Sequence, residues 1–157
     1  MQEKASEFEK AVALNKFHTR DKIDLLNALK EKFGENVVDV VEQVECQKAL
    51  HAWQNIASQY TDHSIEALIQ LLWEPLRSKG FEFTLKKNHE GVQMYCTKCP
   101  IYDLAKELDA LEWMYHHTCL ADPYIAEGFN PNIGLKRSMT LMQGDACCDH
   151  FYYYKEK

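Results

Sequence analysis

The sequence predicts an α+β fold in which a helical half precedes a small antiparallel sheet. Over residues 1–80 apolar side chains recur at helical spacing, whereas from Phe81 onward the period changes to two. The segments "FEFTLKK" and "VQMYCTK" alternate on either side of the turn "NHEG", which predicts a β-hairpin. We therefore predict one domain, 1–157, with a helical scaffold in 1–80. The α+β part in 81–157 is predicted to carry the functional site.

The helical scaffold shows clear start and stop signals. One amphipathic helix should end at Gly34, and a longer one should end near Tyr60. Asp62 or Ser64 can cap the next helix, which Pro75 should kink or end. The amphipathic faces of these helices lead us to expect a homodimer through this half.

The second half continues from the hairpin into helix and then into strand. Pro100 opens a helical region, in which "WMYHHTCLAD" is predicted to form one helix, and Pro123 marks a break or a new turn. The segment "EGFNPNIG" is rich in turn residues and is predicted to be a loop. We predict strands in "LKRSMTLM" and "CCDHFYYYKE". They are joined across Gly144-Asp145 either as a hairpin or as one strand with a bulge.

Charge and hydropathy exclude several classes of function. The net charge is −6 and no basic stripe is present, so nucleic-acid binding is not expected. No apolar run approaches the roughly 20 residues of a membrane helix. The first ten residues, "MQEKASEFEK", are too charged for a signal peptide, which predicts a cytoplasmic protein. We expect its partner to be a small-molecule substrate or ligand.

Cysteine is abundant and unevenly placed. Five of the six cysteines, Cys96, Cys99, Cys119, Cys147 and Cys148, lie in the second half. In a cytosolic chain this favours free thiols, a metal or redox chemistry over a disulfide framework. Cys96 and Cys99 form a CxxC between a strand and a helix, where a helix start lowers a thiol pKa and two sulfurs can reach one metal. The alternative is a pair of half-buried structural thiols.

The final strand, "CCDHFYYY", separates its side chains onto two faces. Cys148 and His150 face one way, and Cys147 and Asp149 face the other. We expect Cys148 and His150 to point inward, because burying Asp149 without a partner is costly. The alternative is that Cys148 is a core thiol and Asp145 a turn residue.

The predicted helix "WMYHHTCLAD" also groups polar side chains. His116 lies three residues before Cys119, and Cys119 lies three before Asp122, so each pair shares a helix face. The alternative is that His116 is a surface residue, or a core residue whose ring nitrogens have ordinary hydrogen-bond partners. Hairpin end, helix and final strand thus each bring Cys, His or Asp toward one region.

An ordered set of short motifs resembles a known family. The motifs are Cys99-Pro100, Cys119 with Asp122, Gly128-Phe129-Asn130-Pro131, Arg137, Thr140-Leu141, and Gly144-Asp145 with Cys148-Asp149. In this order they resemble the family named for L-2-amino-thiazoline-4-carboxylic acid hydrolase, and more distantly the four-vinyl-reductase-type domains. The resemblance covers about residues 95–155 and implies hydrolytic opening of a small cyclic C=N bond.

Such a reaction needs a nucleophile, a base and a group that orients the substrate. The candidate nucleophiles are Cys148 and Cys119, and the candidate bases are His116 and His150. Asp145 or Asp122 could orient the imidazole of the base. Arg137 can hold a substrate carboxylate through a bidentate contact. Tyr115 and Asn130 are further candidates for substrate binding.

Two alternatives change the chemistry. Cys99, Cys119 and Cys148 could bind zinc or another transition metal, whose bound water would be the nucleophile. A non-enzymatic domain could instead use the cysteine-rich site to bind or sense a metal or a small ligand. The sequence leaves these alternatives open.

Overall fold

The computed structural model of the chain describes residues 6–156. Its helices are α1 (Glu7–Phe33), α2 (Asn36–Ala57), α3 (Ile65–Leu72), α4 (Glu74–Arg77), α5 (Pro100–Glu107), α6 (Leu111–Thr118) and α7 (Asp122–Phe129). Its strands are β1 (Glu82–Lys87), β2 (Gly91–Lys98), β3 (Ile133–Lys136) and β4 (Cys148–Tyr154). The strands form one antiparallel sheet in the order β1-β2-β4-β3. The predicted α+β class, with a helical half before a small sheet, is confirmed.

The chain divides into two compact units, Met1–Asp39 and Val40–Lys157. In the first unit, α1 begins with a capping box between Ser6 and Glu9. Several apolar side chains of α1 are more than half exposed: Val12, Leu14, Phe17, Leu25 and Phe33. The homodimer and the single-domain assignment stay predictions.

The boundaries of the short helices follow the capping signals. Ser64 caps α3 by accepting the N–H of Ala67 at 3.2 Å, which confirms one of the two predicted caps. The helix ends at Leu72, and Pro75 lies in the first turn of α4. Backbone N–H groups in a first turn have no hydrogen-bond partner within the helix, so proline is tolerated there. No helix among residues 6–156 is both long and apolar enough to cross a bilayer. The cytoplasmic location stays a prediction.

The inner face of the sheet carries the residues of the candidate site. Along β4, Cys148, His150 and Tyr152 are buried and alternate with half-buried neighbours, so the predicted inward direction of Cys148 and His150 is confirmed. In the register of β2 and β4, Cys96 lies opposite Cys148 and Met94 opposite His150. This face packs on α3 and α7 to form the hydrophobic core.

The single helix predicted for "WMYHHTCLAD" is wrong. α6 ends at Thr118, a 3-10 turn spans Cys119–Ala121, and α7 starts at Asp122. Pro123 explains the restart, because proline fits the first turn of a helix and not its interior. The break moves Asp122 from the end of the predicted helix to the beginning of α7.

The connections around β3 also differ from the prediction. The segment "EGFNPNIG" is not all loop, since α7 continues to Phe129 and β3 begins at Ile133. β3 stops at Lys136, so "LKRSMTLM" is a strand only at its start. β3 and β4 pair in antiparallel fashion, which confirms the hairpin and not the bulged single strand. The connection between them includes a 3-10 turn that Gly144 ends at a φ of 93°.

Gly128 of the "GFNP" motif lies where α7 packs closely on α2. A Cβ at this position would lie 2.5 Å from the carbonyl oxygen of Leu50 and 3.0 Å from Cβ of Trp53. We expect Gly128→Ala to lower the free energy of unfolding by about 2 kcal/mol, because the backbone of α2 cannot yield. Urea unfolding would measure this, with the exposed neighbour substitution Glu127→Ala as control. Equal stability of the two variants would contradict the close-packing explanation.

Candidate functional site

A carboxylate shared by a guanidinium and an imidazole lies at the inner edge of the sheet. Oδ2 of Asp122 lies 2.5 Å from Nη1 of Arg137 and 3.1 Å from Nε2 of His150. Continuing the β3–β4 register by one residue places Arg137 opposite His150, and the start of α7 brings Asp122 to both. The side chain of His150 is only 3% exposed and that of Arg137 11%, so these contacts form away from bulk water.

The contact with Asp122 fixes how His150 carries its proton. An ionised carboxylate only accepts hydrogen bonds, so Nε2 of His150 bears the hydrogen. In the neutral ring Nδ1 then has a free lone pair. Nδ1 is buried and has no hydrogen-bond partner among residues 6–156. His150 is therefore placed to take a proton at Nδ1 while Asp122 supports the charge that results.

Cys119 and Cys148 lie close enough to Asp122 and Arg137 to interact with them electrostatically. The Sγ of Cys148 accepts the N–H of Leu141 at 3.4 Å. Burial raises the pKa of Cys148, although the Leu141 N–H opposes the shift. Burial also raises the pKa of Cys119, and it raises the pKa of Cys96 to about 12. These thiols are protonated near neutral pH, so any nucleophilic role requires a base.

Of the two interpretations of the CxxC, the structure favours structural thiols over an activated thiol. Cys99 stands directly before α5, and the backbone N–H groups of Tyr102 and Ile101 do favour its thiolate. Burial outweighs them, and the pKa of Cys99 is raised. The helix start is therefore not sufficient to make this thiol reactive.

The thiols do not form a metal site. Among residues 6–156, no group of three or more His, Cys, Asp or Glu side chains is placed to hold a metal ion. All six cysteines are free. The arrangement of Cys99, Cys119 and Cys148 thus does not fit the zinc alternative.

Other predicted site residues have partners elsewhere. Nδ1 of His116 lies 3.3 Å from Oε2 of Glu42 on α2, so Glu42 is the carboxylate that this imidazole contacts. Asn130 accepts the N–H of Asn132 and donates to the carbonyl oxygen of His63, which is the role of a turn residue. Of the two candidate bases, His150 is the one in contact with a predicted orienting carboxylate.

A cleft of about 260 Å³ opens beside the Asp122–Arg137 contact. It is lined by Tyr115, Leu120, Pro123, Leu135, Arg137, Ser138, Thr140 and Gln143. Arg137 and Tyr115, both predicted to bind substrate, lie in this lining, whereas Asn130 does not. A larger cleft of about 540 Å³ lies on the outer face of the sheet, at Phe151 and Tyr153, and holds none of the predicted site residues.

Comparison with protein families agrees with the motif order. The model of the family described as L-2-amino-thiazoline-4-carboxylic acid hydrolase matches residues 14–152 of the 157-residue chain. The chain belongs to this family. Membership supports a hydrolase-like function at the level of the family. Among curated proteins, no match was found.

The two aspartates of the hydrolase-like motif "GDACCD" hold the segment that lines the cleft. Asp149 accepts the N–H groups of Ser138 and Met139 at 2.8 and 2.6 Å, and also the Ser138 hydroxyl at 2.7 Å. Asp145 accepts the N–H of Thr140 at 2.7 Å. Asp145 therefore shapes the cleft wall and does not contact an imidazole, in agreement with the alternative of a turn residue.

Asp149 should stabilise this family member at neutral pH. Burial alone would raise the pKa of Asp149, but hydrogen bonds from Ser138 and Met139 outweigh burial and hold the pKa below its ordinary 3.8. We expect Asp149→Ala to lower the free energy of unfolding by about 2 kcal/mol at pH 7, because three hydrogen bonds to a charged group are lost. Because the folded-state pKa is lowered, the stabilisation is present above the ordinary value and is lost as pH falls through the folded pKa.

Urea unfolding at a series of pH values would measure the effect of Asp149→Ala. The exposed substitution Asp103→Ala on α5 serves as the control. The difference in free energy of unfolding between wild type and Asp149→Ala should narrow below about pH 4. A difference that stays constant there would contradict the link between the ionisation of Asp149 and stability.

Sequence reasoning missed two aromatic residues at the site. Trp73 directly follows α3 and contacts the ring of His150. Tyr152 belongs to the aromatic run of β4 and accepts the indole N–H of Trp73 at 2.9 Å. The strand period puts Tyr152 on the face of His150, which was the available signal. No local signal indicated Trp73.

Proposed function

We propose that this protein is a hydrolase that opens a small cyclic C=N substrate of the thiazoline-carboxylate type in the cleft beside Arg137. Family membership supports a hydrolase. The observation that carries the proposal is the double contact of Asp122 Oδ2, with His150 on one side and with the cleft residue Arg137 on the other. This contact joins a substrate anchor to a base.

The cleft suits a small acid that carries a ring. Arg137 gives Nη1 to Asp122, and a guanidinium has further N–H donors that can hold a substrate carboxylate. Tyr115, Leu120 and Leu135 offer apolar surface to the ring. The cleft volume of about 260 Å³ suits a compact metabolite. It is smaller than the pockets that usually hold drug-sized ligands.

Cys148 is the proposed nucleophile and His150 the proposed base. Cys148 shares a strand face with His150, and the Leu141 N–H directed at its sulfur favours the thiolate. Because burial raises the pKa of Cys148, the thiol must lose its proton as it attacks. No hydrogen bond joins Nδ1 of His150 to a partner among residues 6–156, so the proposed transfer requires Sγ of Cys148 and Nδ1 to approach each other, while Nε2–H stays on Asp122.

The proposed reaction then balances in two stages. Sγ of Cys148 bonds to the C=N carbon and its proton passes to Nδ1 of His150, which returns it to the ring atom whose bond to that carbon breaks. Water next attacks the same carbon and gives a proton to Nδ1. The carbon–sulfur bond to Cys148 breaks, and His150 restores the thiol proton. The net change is addition of one water molecule to the opened ring.

A turnover assay tests this function. Purified protein would be incubated with L-2-amino-thiazoline-4-carboxylate, and the ring-opened carbamoyl-cysteine product would be followed by liquid chromatography and mass spectrometry. We expect Cys148→Ser to lower turnover about 100-fold or more, as loss of a nucleophile does. Cys147→Ser, a change at the adjacent thiol on the other strand face, is the control. Turnover unchanged in Cys148→Ser would refute the thiol mechanism, and absence of wild-type turnover would refute this substrate.

A second candidate is a domain that binds a small acid without reaction. The raised pKa values of Cys148, Cys119 and Cys99 favour it, since burial keeps the thiols protonated. Calorimetric titration with the same thiazoline would distinguish the two functions. Saturable binding that Arg137→Gln weakens, with no product formed, would support the binding domain over the hydrolase.

A further inference from the structure

We propose that Trp73 and Tyr152 are positioning residues that hold the imidazole of His150 in the orientation the reaction needs. This inference rests on the proposed function of His150 as base. It assigns a role to two buried side chains outside the motifs that define the resemblance, and one of them, Trp73, comes from the helical half of the chain.

Two buried aromatic rings contact the imidazole. The ring centroids of Trp73 and His150 are 5.2 Å apart with an interplanar angle of 64°, which is an edge contact. His150 and Tyr152 are stacked, with centroids 6.4 Å apart and planes 12° apart. Trp73, His150 and Tyr152 are 7%, 2% and 0% exposed, so neither contact competes with solvent.

A hydrogen bond ties the two flanking rings together. The indole Nε1–H of Trp73 donates to the hydroxyl oxygen of Tyr152 at 2.9 Å. Both groups are buried, so neither can exchange this bond for one to water. Trp73 is further held by an edge contact with Phe83 of β1, with centroids 5.5 Å apart. The two walls around the imidazole therefore form one rigid unit.

This rigid unit keeps Nε2 of the imidazole against Asp122. A half-turn of the ring about its Cβ–Cγ bond would replace each nitrogen by a carbon and break the 3.1 Å contact of Nε2 with Asp122. Nδ1 would also move away from its present place. A ring in contact with two buried aromatic side chains cannot make this turn without displacing Trp73 or Tyr152. The packing thus preserves the tautomer in which Nδ1 is unprotonated.

The alternative is that Trp73 and Tyr152 contribute only to packing of the hydrophobic core. The chain offers a matched comparison, since Trp53 makes an edge contact with Phe129 at 6.0 Å in the same core. No ring contact joins Trp53 to His150 among the residues that the structure describes. Trp53→Phe therefore imposes a similar loss of core packing without touching the imidazole walls.

The test compares Trp73→Phe and Tyr152→Phe with the control Trp53→Phe. Nitrogen-15 NMR of the imidazole would report the tautomer of His150, and steady-state kinetics would report kcat and KM. In Trp73→Phe and Tyr152→Phe we expect a mixture of tautomers and a kcat lower by about tenfold or more, with KM within about twofold. Trp53→Phe should keep the wild-type spectrum and kcat even if it is less stable.

Each outcome decides the inference. If the spectra and kcat of Trp73→Phe and Tyr152→Phe match those of Trp53→Phe, the positioning role is overturned. Turnover by the wild type would in that case still support the proposed function. A wild type without turnover, but with tautomers that respond as expected, would overturn the function and keep the positioning. If neither variant folds, the wild-type spectrum decides, because an Nδ1-protonated ring near neutral pH would contradict the proposal.

Discussion

Replacing His150 by glutamine is expected to lower kcat/KM for ring opening by about 100-fold or more, the range of a lost general base. Glutamine can still donate an N–H to Asp122, so the ion contact between Asp122 and Arg137 should persist. What is lost is the unprotonated Nδ1, which has no other hydrogen-bond partner among the described residues. The loss should appear in kcat, because the proposed substrate anchor, Arg137, is unchanged.

The control for this prediction is His116→Gln. His116 was the other candidate base, but its Nδ1 contacts Glu42 on α2 and not Asp122. Steady-state kinetics on both variants would separate the candidates. A loss in His116→Gln as large as that in His150→Gln would contradict the assignment of the base, as would a rise in KM alone for His150→Gln.

Substituting Asp122 by alanine is expected to produce the largest loss of stability, about 3 kcal/mol or more. The ring of His150 is buried, the side chain of Arg137 is only 11% exposed, and both contact the same carboxylate oxygen. Removing the carboxylate leaves the positive charge of Arg137 buried without its partner. Because the unpaired charge causes the loss, Arg137→Met made in the same chain should restore part of the stability.

Chemical unfolding of the two single variants and the double variant would measure this coupling. The double variant should lose less free energy of unfolding than the two single losses added together. Simple additivity would show that Asp122 and Arg137 do not stabilise each other. The activity of Asp122→Ala should fall as well, since His150 loses the group that orients it.

Strand periodicity accounts for what sequence reasoning obtained correctly at the site. A strand alternates its faces with a period of two, so identifying β4 was enough to place Cys148 and His150 on one side. The hairpin of β1 and β2 followed from alternation on either side of a short turn. In both cases neighbouring residues along the chain carry the information.

The pairing of Asp122 with His150 could not be obtained that way. The two residues lie 28 positions apart, and the sequence offered Asp145 and Asp122 as equal partners for an imidazole. Asp145 instead binds the N–H of Thr140. The choice depends on where Pro123 restarts the helix as α7 and on how α7 packs beside β3, and both are settled by packing.

The amino-acid sequence by itself determined the α+β class, the inward face of β4 and, through its ordered motifs, the family. Those features arise from local periodicity, turn residues and short patterns. Tertiary structure alone decided the hydrogen bond between Trp73 and Tyr152, which joins residues 79 positions apart, and the direction of the thiol pKa values. The reason is physical: a thiol's pKa depends on burial by distant elements as well as on its helix start. At Cys99 that burial outweighs the helix start.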